Sequence, residues 1–165
     1  MPCVRSAKTE DRMSEIRRIV TFKCSAFNTT KEKEKFINPN NYGDDVAEWF
    51  AVELEKLGAK VDREDDFPGQ EDFGWYIDFT LGEKPFTLVV GSRPDEGDKF
   101  EWVLWIERQC GFLGSIFGGR DKNIAPESIQ AIHKILSGRN DVSEIRWHLK
   151  ADFDKGIENT TTERP

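Results

Sequence analysis

GWYIDFTLGEKPFTLVVG, Gly74 to Gly91, carries the pattern that decides the fold. Trp75, Ile77 and Phe79 alternate with Tyr76, Asp78 and Thr80, and successive side chains of a strand point to opposite faces, so the segment predicts a strand with one apolar side. A second β-rich run, PFTLVV, follows within three residues, with Gly82, Glu83 and Lys84 at the turn. A connection that short can join only antiparallel neighbours. The pattern also places an aromatic ring and an acid, Tyr76 and Asp78, on the side of the sheet away from its apolar residues.

Outward from this hairpin the same periodicities repeat. FEWVLWIERQC, Phe100 to Cys110, predicts a further strand with Phe100, Trp102, Leu104 and Ile106 on the helix-facing side and Glu101, Val103, Trp105 and Glu107 opposite. EIRRIVTFKCSAF, Glu15 to Phe27, and VSEIRWHLK, Val142 to Lys150, predict the first and last strands, the latter dividing into Ile145, Trp147 and Leu149 against Arg146, His148 and Lys150. VDREDDFPGQED, Val61 to Asp72, combines a short strand with an acid-rich loop. Two helices interrupt the strands. In YGDDVAEWFAVELEKLGAK, Val46, Phe50, Leu54 and Leu57 recur at helical intervals, Asp45 and Glu48 have capping-box spacing, and Gly58 suits a left-handed end. Asn123 to Ser137 has Pro126 in its first turn and Ile129, Ile132 and Leu136 on one face. The order β-α-β-β-β-β-α-β predicts an α+β fold: a mostly antiparallel sheet of five or six strands with both helices on one face. Residues 15–150 form one domain in this reading, residues 1–14 a disordered extension with Met13 a candidate true start, and residues 151–165 a loose polar tail.

Composition bounds the function. The chain has 165 residues, and its apolar fraction of 37% includes five Trp and twelve Phe, enough bulk for a packed core. The formal charge of −7, from 24 basic and 31 acidic residues, opposes nucleic-acid binding, which rests on cationic side chains releasing counterions from phosphates. It suits solubility, a basic protein partner or a cationic ligand. Cys3, Cys24 and Cys110 show no metal-binding spacing, and an odd number of them predicts reduced thiols and a cytoplasmic location. No signal-peptide h-region and no run of about 20 apolar residues is present, so no membrane association is expected. His133 and His148 are not spaced as a chelating pair, and the acid clusters lack the twelve-residue calcium-loop pattern, so neither metal nor cofactor is expected.

Strand parity collects Tyr76, Asp78, Trp105, Glu107, Arg146 and His148 on the face without helices. Three readings fit such a set. The acids and bases can pair across strands, at roughly 0.2–1 kcal/mol each. The Tyr, Trp and Arg can form a recognition surface, since these residues dominate binding energy at interface centres. Asp78 or Glu107 can orient His148 as a base, although no nucleophile accompanies them. A second feature, GFLGSIFGGR from Gly111 to Arg120, places Phe112, Leu113, Ile116 and Phe117 among glycines. It fails the phosphate-loop pattern and reads as an apolar loop that folds onto the core edge or forms a lip that a partner covers.

In its size, acidity and layout the chain resembles small bacterial cytosolic proteins, and its acidic, aromatic character is similar to that of toxin-neutralising immunity proteins, a likeness of composition with no shared motif. The function expected from all this is a small, non-catalytic interaction module that binds a protein partner through the open sheet face. The alternatives are an enzyme using Asp78, Glu107 and His148, and a small-molecule sensor with a pocket between sheet and helices.

Overall fold

A computed structural model describes residues 15–64, 66–95, 99–109 and 124–165. The expected N-terminal extension, Cys3, Cys110 and the apolar loop with Phe112, Leu113, Ile116 and Phe117 lie outside the described residues.

The elements are β1 (Ile19–Lys23), α1 (Asp44–Lys56), β2 (Lys60–Val61), β3 (Gly69–Glu71), β4 (Gly74–Leu81), β5 (Lys84–Asp95), β6 (Lys99–Arg108), α2 (Pro126–Ser137), β7 (Ser143–His148) and the single turn α3 (Lys150–Phe153). The strands form one antiparallel sheet in the order β2-β4-β5-β6-β1-β7, with β3 also paired to β4. The fold is therefore α+β, as the hairpin pattern predicts, with seven strands among the described residues rather than five or six. The added strand is β3, Gly-Gln-Glu, which pairs with Gly74–Tyr76 while β2 pairs with Phe79–Thr80 on the same edge of β4. Its residues have little β propensity of their own, so tertiary pairing alone makes it a strand.

Both long helices cover one sheet face. Val46, Phe50 and Leu54 of α1 and Ile129, Ile132 and Leu136 of α2 share one core with Trp75, Ile77, Leu88, Leu104 and Trp147 from the sheet. The parity reading holds here: Trp75 and Trp102 are buried and Trp105 is intermediate. Buried indoles need acceptors. The Trp75 Nε1–H donates to the Asn41 carbonyl at 2.7 Å and the Trp102 Nε1–H to that of Cys24 at 3.3 Å. These two bonds lash the long connection between β1 and α1 across the sheet.

The start of α1 differs from its local signal. Gly43 stands at the cap, and no side chain closes it. Asp45 instead accepts the Asn28 N–H at 2.7 Å, fastening the preceding loop. Asp44, fully buried, takes Lys33 at 2.6 Å and Lys35 at 3.1 Å. Burial alone would raise the Asp44 carboxyl, but the hydrogen bonds from the two lysines overcome it and hold it below the usual carboxylate range. The C-terminal end is as expected, with Gly58 at φ +89° just past the Leu57 cap.

The polar C-terminal segment is not loose. Trp147 and Thr162 exchange backbone hydrogen bonds at 2.7 and 3.1 Å, adding a bridge beyond β7. The Thr160 hydroxyl donates to the buried Asp152 carboxylate at 2.8 Å. Glu158 meets Arg93 at 2.6 Å. Polar groups paired in this way pack without apolar anchors, which composition does not reveal.

Candidate functional site

The outer sheet face divides into two halves. Register aligns Tyr76, Val89, Trp105, Ile19 and His148 in one row across β4, β5, β6, β1 and β7. Asp78, Thr87 and Glu107 form the next row. Over β1 and β7 the C-terminal segment closes the face. The Phe153 ring meets His148 edge-on at 5.1 Å, and Arg93 lies 5.4 Å from the same ring while binding Glu101 at 2.6 Å. Thr21, Glu101, Val103 and His148 are consequently buried, where strand parity alone leaves them open to water.

Over β4, β5 and the end of β6 the face is concave and open. A cleft of about 780 Å³ is lined by Phe73, Tyr76, Asp78, Trp105 and Glu107, with Glu71 and Arg108 among its further residues. Two of its aromatic rings are set by backbone geometry. Gly69 lies opposite Tyr76, and a Cβ at that position would stand 2.2 Å from the phenol ring, so glycine lets the ring lie flat on the β3 backbone. Phe73 occupies the turn between β3 and β4 and leans toward Trp105, their centroids 6.1 Å apart. It is 54% exposed, the largest aromatic surface left bare among the described residues.

The polar groups of the cleft are oriented as well. The Thr87 hydroxyl donates to Asp78 at 2.5 Å, and the Trp105 indole N–H donates to Glu107 at 3.2 Å. The Tyr76 phenol is pushed up, by burial first and then by the Asp78 and Glu71 charges, and stays a neutral hydroxyl at physiological pH. A neighbouring cleft of about 170 Å³ shares Tyr76 and Asp78 and adds Asp62, Glu64 and Asp66.

Of the six outer-face residues singled out by parity, four meet here: Tyr76, Asp78, Trp105 and Glu107. Arg146 and His148 do not join them. Arg146 pairs with Glu144 at 3.0 Å and faces Glu158 at 3.6 Å. His148 is 1% exposed, with Nε2 2.9 Å from the Thr21 hydroxyl. Strands lie about 4.8 Å apart, so Glu107 on β6 and His148 on β7 are separated by roughly 10 Å and Asp78 by roughly 20 Å. The acid-oriented histidine base suggested by the sequence is therefore not assembled. Phe73, Glu71 and Arg108 are site residues that sequence reading misses, the first two because their positions depend on the unforeseen pairing of β3. His133 has a structural role, accepting the Trp147 indole N–H at 3.2 Å.

The buried imidazole makes stability depend on pH. Burial, followed by the Arg93 charge, lowers the His148 pKa, and Nδ1 has no hydrogen-bond partner among the described residues. The unfolded chain takes up this proton near pH 6.5 and the folded chain only at lower pH. The stabilisation is thus complete above about 6.5 and is lost as pH falls through the folded value, at up to ~1.4 kcal/mol per pH unit. His133 is shifted in the same direction, by burial and then Arg164. Urea unfolding at pH 7.5 and 5.5 should show the wild type losing more stability than His148→Gln over this interval; parallel losses would assign the slope elsewhere.

Among the described residues no helix is long and apolar enough to cross a membrane, and no group of three His, Cys, Asp or Glu is placed to hold a metal ion. Comparison with protein-family models, curated proteins and solved structures returned no match.

Proposed function

We propose that this chain is a small interaction module that captures a protein partner in the open half of its outer sheet face. The observation that carries the reading is the bare Phe73 ring beside Trp105, in a concave cleft whose other walls are strand-borne and hydrogen-bonded. Aromatic side chains held rigid before binding lose little entropy on contact and supply most of the energy at interface centres. Among the described residues Asp78 accepts from Thr87 and Glu107 from Trp105, while His148 lies beneath α3 away from both, which favours recognition over acid–base chemistry on this face. The space between sheet and helices is filled by the large side chains of the core, including Trp75, Trp102, Trp147 and Phe50, which disfavours a sensor pocket there.

The test uses the chain and its Tyr76→Ala/Trp105→Ala variant, immobilised in parallel against native extract, followed by purification of any protein retained only by the parent. Titration of that purified partner should show the double variant weaker by more than ~2 kcal/mol, about thirtyfold, at a temperature where its cooperative unfolding transition shows it to be fully folded. If every retained protein binds parent and variant equally, the docking reading fails.

A further inference from the structure

The cleft is matched to one kind of group. Phe73, Tyr76 and Trp105 present ring surface, while Glu71, Asp78 and Glu107 place carboxylates around it. The adjoining cleft continues the acidic lining through Asp62, Glu64 and Asp66. Aromatic faces attract cations through the ring quadrupole, and carboxylates add charge-assisted hydrogen bonds. A guanidinium satisfies both at once, since it is planar, stacks on rings and binds carboxylates through paired N–H groups, whereas an ammonium is a compact, strongly hydrated charge.

The molecule uses this combination in its own packing. Arg139 lies 4.5 Å from the Phe27 ring and 4.8 Å from that of Trp49, and its Nε and Nη2 donate to Asp141 at 2.6 and 3.1 Å. Arg93 likewise combines the Phe153 ring with Glu101 and Glu158. The open cleft holds the same aromatic and acidic components on the surface. One cation, Arg108, is among its lining residues, exposed at the end of β6.

We propose that the cleft receives an arginine side chain presented by a basic segment of the protein partner, the neighbouring acidic cleft accepting a further cationic residue of that segment. This rests on the docking reading above and specifies its chemistry. The chain's charge of −7 favours the encounter at long range.

The experiment titrates the full chain with short capped peptides of the form Gly-Arg-Gly-Arg-Gly and their lysine and glutamine counterparts. Amide and indole N–H resonances are followed by NMR, with Trp105 assigned through its Trp105→Phe variant. The arginine peptide should shift the Trp105 indole signal saturably, bind about tenfold tighter than the glutamine peptide and several-fold tighter than the lysine peptide, and weaken as salt is raised. Asp78→Asn and Glu107→Gln, each with an otherwise native spectrum, should reduce its affinity by about tenfold, and Arg108→Gln should raise it severalfold. Equal binding of the arginine and glutamine peptides, or no saturable shift, overturns the cation assignment. If the Tyr76→Ala/Trp105→Ala variant still loses its purified partner in that case, the docking reading stands without it; if that loss is absent too, both fail. Equal affinity for the lysine peptide overturns the choice of arginine.

Discussion

Trp102→Ala is expected to cost about 3–5 kcal/mol of folding stability and Trp105→Ala less than about 1.5 kcal/mol, although the two indoles stand three residues apart on one strand. Trp102 is fully buried between sheet and helices, and the Phe27 ring packs against it at 5.9 Å, nearly perpendicular. Its loss opens a cavity that neighbours fixed in a sheet cannot collapse to fill, and it leaves the buried Cys24 carbonyl without its indole donor. Trp105 faces the other way, with one side toward the cleft, and alanine there removes a ring already partly in contact with water. Urea denaturation of both variants measures the difference. Equal losses would mean that the outer face is closed over Trp105, and with it the docking cleft.

That contrast was legible in the sequence because Trp102 and Trp105 stand an odd number of residues apart on a strand that pairs without a register break, and a one-residue slip would have exchanged the faces. The helix faces were legible for the same kind of reason. What the sequence concealed depends on contacts distant along the chain. Asp45 has the local spacing of a cap, yet the acids at 44 and 45 are claimed by Lys33, Lys35 and the Asn28 backbone. Gly69–Glu71 has no strand signal, so β3 and the Phe73 turn it anchors were invisible, and with them one wall of the site. Parity placed His148 and Tyr76 on the same face correctly, but it carries no information about which part of that face another segment covers.

The covering segment gives the second large effect. Ending the chain after Asp154 should lower stability by about 3 kcal/mol and the melting temperature by roughly 10 °C, where composition alone predicts little change. The deletion removes Thr162, whose two backbone bonds to Trp147 contribute about 0.5–1.5 kcal/mol each. It strips the Thr160 hydroxyl from the Asp152 carboxylate, which is 1% exposed in the intact chain, and so removes a hydrogen bond to a charged group. It also removes Glu158 from Arg93, a half-exposed pair contributing at most about 1 kcal/mol after screening. The Arg93–Glu101 pair beneath would lose part of its cover, and α3 would be held by its own single turn and by the Phe153 ring against His148 and Arg93. The deleted segment covers the other half of the same face, over β1 and β7, so affinity for the partner should be unchanged at temperatures where the shortened chain is folded. A melting temperature within about 2 °C of the parent would show that the C-terminal segment rests on the sheet without stabilising it, whereas a large thermal loss with intact binding would separate the half of the face that maintains the fold from the half proposed for recognition.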